Sequence, residues 1–134
     1  MSVAAYKRTI SHTEAPRQIE RRILAQVTSE LELKFEDFDA TERRMDRLQL
    51  LADGLRQTLW ENQMVWMTFK MDLLEEKNAL SPSLRSALLS LAIWVETHTQ
   101  NVMAGDKTVR PLVDVNRSII DGLGGRAFST APEE

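Results

Sequence analysis

The sequence predicts an all-α fold: a single-domain helical bundle of four to five helices with one long central helix. Three observations carry that expectation. The 134 residues include only five Gly and four Pro, nearly all at segment ends, whereas a protein built of many short strands needs turn residues throughout. Within the unbroken segments apolar residues recur at three- and four-residue steps, the period of a helix with one buried face. Hydrophobic residues make up 43% of the chain and charged residues 28%, enough apolar side chain to fill one core in a domain of this length. The bundle is expected to span residues 1–123, with 1–12 a flexible N-terminal segment and 124–134 a small, polar, disordered tail.

The first helix has a readable start. Thr13 can accept orphan amide hydrogens as an N-cap, and Pro16 falls in the first turn, where its missing N–H costs nothing. Ile19, Ile23, Leu24, Val27 and Leu31 set one apolar stripe, and the helix is expected to end near Leu33. Residues 34–40 read as an acidic connector, with Asp39 or Thr41 available to cap the next helix. Beyond it lies the longest pattern in the chain. Met45, Leu48, Ala52, Leu55, Leu59, Asn62, Trp66, Phe69 and Leu73 alternate three- and four-residue steps, the seam that faces a neighbouring helix in bundles. This predicts one helix over about 41–76, approaching ~50 Å at ~1.5 Å per residue. Gly54 and the polar Glu61-Asn62-Gln63 are its weak points; a bend is expected near Asn62, with two collinear helices as the alternative.

Ser81-Pro82 repeats the cap-then-proline start. Leu84, Leu88, Leu91, Ala92, Val95, Val102 and Met103 then mark a helix to about Ala104, and Gly105 supplies the left-handed residue that stops it. Pro111 opens the last helix, with Leu112, Val115, Ile119 and Ile120 on its stripe and Gly122, Gly124 and Gly125 at its end.

A net charge of −3 lacks the basic excess of a nucleic-acid binder, so no direct nucleic-acid contact is expected. The chain has no cysteine, which removes disulfides and thiolate metal sites. Residues 1–16 show no apolar signal region, and no window approaches the ~20 apolar residues of a membrane span. A cytoplasmic location without membrane contact is expected.

The means for catalysis are thin. His12 and His98 are the two histidines, and zinc sites use three or four ligands at defined spacing. Neither a Gly-rich phosphate loop nor a nucleophile elbow is present. Glu75-Glu76 and Asp37/Asp39 read as capping and solubility groups. Neither an enzyme nor a cofactor or metal is expected. The informative cluster is instead Trp60, Met64, Trp66, Met67, Phe69 and Met71, crowded into the second half of the long helix and pointing several ways around it. Met and Trp suit adaptable partner-binding surfaces. Either this half is enclosed by the bundle or part of it is an exposed apolar groove, and both readings stand at the level of sequence.

The last two helices carry a further pattern. Ser90-Leu91-Ala92-Ile93-Trp94-Val95-Glu96-Thr97-His98-Thr99 is followed by Val102-Met103-Ala104-Gly105. Pro111-Leu112-Val113-Asp114-Val115-Asn116-Arg117-Ser118-Ile119-Ile120-Asp121-Gly122-Leu123 completes it. These runs resemble the FlaF family of flagellar proteins from alphaproteobacteria. Ala5-Tyr6, Thr9, Pro16-Arg17 and Glu20-Arg21-Arg22 resemble that family's N-terminal segment, so the likeness covers roughly residues 3–123. The resemblance implies a part in flagellum biogenesis: a chaperone that binds flagellin monomers for type III secretion through the flagellar export apparatus. The alternative it carries is a post-transcriptional regulator of flagellin synthesis acting with FlbT or on flagellin mRNA. Of the signature residues, Trp94 can fill the core, and Asp114 can cap or pair near the start of the last helix. Asn116 and Arg117 can bridge to His98 or to nearby carbonyls. Whether the chain is a monomer or a homodimer is left open by the sequence.

Overall fold

The computed structural model describes residues 16–76 and 78–123, with side chains from residue 20 to residue 122. Thr13, His12 and the segments 1–12 and 124–134 lie outside the described residues. The described chain is helical: α1 (Pro16–Ala40), α2 (Arg44–Leu50), α3 (Arg56–Leu74), α4 (Pro82–Met103) and α5 (Arg110–Leu123), with a wide helical turn, Leu51–Leu55, joining α2 to α3. The all-α bundle predicted from the sequence is therefore present.

Helix α1 continues through residues 34–40 instead of ending near Leu33. Leu24, Val27, Leu31 and Phe38 are buried and Phe35 packs against them, so the two Phe extend the stripe by two more turns. The acidic side chains beside them remain outside this stripe. Asp39 reaches across the bundle, where its two carboxylate oxygens accept the backbone N–H groups of Val109 (2.7 Å) and Arg110 (2.9 Å). It thus caps α5 and not the helix that follows it. Thr41, the other expected cap, donates its hydroxyl back to the Asp37 carbonyl at 2.7 Å. Ile23, assigned to the stripe from its spacing, is exposed.

The long 41–76 element is bent, and the bend is at Gly54, not Asn62. Gly54 has φ +124° and Asp53 leaves helical geometry with ψ 16°. Only glycine takes such a φ without a steric penalty. The bend resets the register: Leu51 turns into the core where Ala52 was expected. Met45 is left 73% exposed. Past the bend the expected seam holds, with Leu55, Leu59, Asn62, Trp66 and Leu73 buried and Phe69 packed against them.

No residue of α2 is fully buried; Leu48 and Leu50 pack half-buried against the core, and its arginines tie it to the end of α4. Arg44 Nε donates to the Ala104 carbonyl at 3.0 Å and Arg47 Nη1 to the Gly105 carbonyl at 3.0 Å. Those carbonyls lie at the C-terminus of α4, where orphan acceptors and the helix dipole favour cations. Arg47 also donates to the Thr41 carbonyl at 2.6 Å, and its guanidinium lies 5.4 Å from the Phe38 ring centre. Helix α4 begins as expected: Leu84 N–H donates to the Ser81 hydroxyl at 3.3 Å, with Pro82 in the first turn. It ends at Gly105, φ +84°, with Gly105 N–H bonded to Val102 and Asp106 N–H to Asn101, the paired bonds of a Schellman stop.

Helix α1 packs on both α5 and α3, α3 packs on α4, and α4 meets α5 only slightly. The helices therefore form a row, α5–α1–α3–α4, whose ends do not close fully on each other. Among the described residues, no third helix lies along its outer α3–α4 side.

Candidate functional site

Position along α3 decides the fate of the Trp and Met cluster. Trp66 is 3% exposed and Phe69 stacks edge-on against it at 5.6 Å; both belong to the inner seam. Trp60 is 51% exposed, Met67 41% and Met71 61%, and Leu74 beyond them is also exposed. Met64 is half-buried. Trp60, Met64, Met67, Met71 and Leu74 follow one another at steps of four, three, four and three residues, so they form a single stripe on the outer side of α3. The six residues picked out by the sequence thus divide between core and surface.

Between this stripe and α4 runs a groove lined by Gln63, Trp66, Met67, Lys70, Ala92 and Glu96, enclosing about 10 Å³. That is room for about one water and not for a small-molecule ligand. Lys70 Nζ sits 3.3 Å from Glu96 Oε1 across it. Ile93 of α4 is also exposed.

Inside the bundle a polar knot joins three helices. Asn116 of α5, fully buried, donates its amide to Thr28 Oγ1 of α1 (3.0 Å) and to Asn62 Oδ1 of α3 (2.7 Å), and its Oδ1 accepts Trp66 Nε1–H at 2.8 Å. The Thr28 hydroxyl in turn donates to the Leu24 carbonyl at 2.6 Å. The buried Asn62 amide nitrogen has no hydrogen-bond partner among the described residues, and an unsatisfied buried donor costs about 1–3 kcal/mol. A buried network of this kind pins relative register, since any slip of α5 along α1 would strand several polar groups. In the sequence Asn62 is only a weak point in the seam, and nothing local links it to Asn116, 54 positions away. A polar residue recurring in an apolar seam was the signal available.

The remaining signature residues take local roles. Trp94 is not a core residue; it lies at the rim, stacked on His98 at 4.8 Å with rings 20° apart. His98 Nε2 pairs with the Thr108 carbonyl at 2.8 Å, so the bridge expected from Asn116 or Arg117 to His98 is not formed. Arg117 instead makes a two-pronged pair with Glu32 of α1. Those hydrogen bonds hold the guanidinium above its ordinary range, and it is charged at every accessible pH. Asp114 pairs with Arg110 at 3.8 Å on the surface, as its position one turn into the helix suggested.

Among the described residues, no group of three His, Asp or Glu side chains is placed to hold a metal ion. No described helix is long and apolar enough to cross a membrane. Compared with known proteins, the sequence matches the family described as flagellar protein FlaF over residues 2–123. No curated protein and no solved structure matches it.

Proposed function

The chain belongs to the FlaF family of flagellar proteins, and from that membership we propose that it is a cytoplasmic chaperone of flagellin. In this reading it binds the unassembled subunit in a stoichiometric complex, covers apolar helices that would otherwise drive polymerisation, and releases the subunit at the flagellar export apparatus. The observation that carries the reading is the outer stripe of α3. An apolar face bearing a Trp and two Met side chains more than two-fifths exposed is unfavourable to leave in water and suited to an adaptable protein contact.

The basic side chains favour a protein partner over RNA. Arg21, Arg44, Arg47 and Arg85 donate to backbone carbonyls of the chain itself. Lys70 and Arg117 are paired with carboxylates. They are spread over the bundle and do not line one groove that could track a phosphate backbone. Flagellin brought to polymerising conditions with an equimolar amount of this protein should stay monomeric. Filament growth at the unassisted rate would refute the chaperone role. Tight, steeply salt-dependent binding to flagellin mRNA without other proteins would instead establish the alternative, a post-transcriptional regulator acting on that mRNA.

A further inference from the structure

We infer that the outer face of α3, extended by Leu89 and Ile93 of α4, seats one amphipathic α-helix of the partner, with Lys or Arg flanking that helix's apolar seam. The inference rests on the chaperone reading and adds where the partner lies and what chemistry it presents.

The occupant's secondary structure follows from the stripe. At 100° per residue, Trp60, Met64, Met67, Met71 and Leu74 fall within roughly 80° of arc. They extend over about 21 Å, or four helical turns. Alternating steps of three and four residues are what a second helix needs to interleave its own side chains. An extended strand, with side chains repeating every two residues, would meet this ladder only intermittently. The same stripe borders the groove to α4. Ala92 and Glu96 face α3 across that groove. Leu89 and Ile93 lie next to them on the α4 surface, half-buried and exposed respectively. A docked helix would therefore rest on α3 and lean on α4, filling the open side of the row.

The charge of the occupant follows from the borders. On the α4 side Lys70 is neutralised by Glu96, and at the Leu74 end the Arg85 guanidinium is engaged by the Leu73 and Glu75 carbonyls that close α3. On the other side the helical period places Glu61 and Asp72 beside the stripe, with the uncharged Gln57 and Thr68 between and before them. Arg56 stands a turn before Trp60, at the far N-terminal end. Along most of its length the stripe thus has one neutral border and one acidic border, which a partner helix complements with basic residues at its flanking positions.

The test measures binding of purified monomeric flagellin to the full chain and its variants by titration calorimetry, with circular dichroism and urea unfolding confirming each fold. Trp60→Ala and Met67→Ala, both at exposed positions, should each raise Kd at least tenfold. Glu61→Lys with Asp72→Lys should weaken binding severalfold and flatten its salt dependence. Leu33→Ala, exposed on α1, should leave Kd within twofold. Unchanged binding by the Trp60 and Met67 variants overturns the surface while the chaperone reading stands. Failure of the unaltered chain to bind flagellin overturns the chaperone reading, and this inference with it. If light scattering finds the unaltered chain dimeric and Met67→Ala monomeric, a second copy occupies the stripe and the inference is likewise overturned.

Discussion

Replacing Asp39 by Ala tests the reasoning about how the bundle is tied together. Both carboxylate oxygens of Asp39 accept backbone N–H groups at the start of α5, at 2.7 and 2.9 Å. Loss of an N-cap costs about 0.5–2 kcal/mol, and loss of a negative charge at a helix N-terminus about 0.3–1 kcal/mol. The sum is roughly 1–3 kcal/mol. With a urea m-value of about 1–3 kcal/mol/M for a small protein, the unfolding midpoint should fall by about 1 M. Asp39→Asn keeps one acceptor and should lie between. Asp37→Ala, two residues away on an exposed position, should change the midpoint little. Hydrogen exchange adds the location: the amides of Val109, Arg110 and Leu112 should lose protection in Asp39→Ala while those of α2 do not. A midpoint shift equal to that of Asp37→Ala, or lost protection confined to α2, would refute the cross-bundle cap.

Trp66→Phe removes the indole N–H that donates to the buried Asn116 Oδ1 and should cost about 1–3 kcal/mol in urea unfolding. Trp60→Phe, on the exposed stripe, should stay within about 0.5 kcal/mol. Gly54→Ala meets no steric wall, since the nearest atom to an added Cβ is Lys34 Nζ at 3.5 Å. Its φ of +124° should nevertheless make it about 1–3 kcal/mol less stable. An unchanged midpoint for either Trp66→Phe or Gly54→Ala would contradict the role assigned to that residue.

Local chemistry made much of the fold legible in the sequence. The Ser81-Pro82 start and the Gly105 stop of α4 depend on residues adjacent to the helix ends, and the structure has both. The seam from Leu55 to Leu73 is a regular period within one helix, and it too is present. What escaped reading depends on residues distant in the chain. Asp39 looked like a cap for its neighbour, yet its partner amides are seventy positions away. Phe35 and Phe38 were hidden among acidic residues because charge, not period, dominated the reading of 34–40. The bend went to Asn62 because a polar residue in an apolar seam resembles a weak point. Asn62 is instead satisfied through Oδ1 by Asn116, and Gly54 alone has the backbone freedom to turn the chain.

The candidate site was half legible for the same reason. Composition marked Trp60, Met64, Trp66, Met67, Phe69 and Met71 as one cluster. Only the orientation of α3 between α1 and α4 separates the inner pair, Trp66 and Phe69, from the outer stripe. Arg117 could not be paired with Glu32 from sequence, because that contact spans 85 positions and two helices.

The proposal to be tested is that this 15.3 kDa chain holds one flagellin subunit. Light scattering coupled to gel filtration measures that most directly, with purified chain and monomeric flagellin mixed at micromolar concentration. A flagellin chaperone should give a single peak whose mass is one chain plus one flagellin. Two separate peaks at the masses of the free proteins would contradict it.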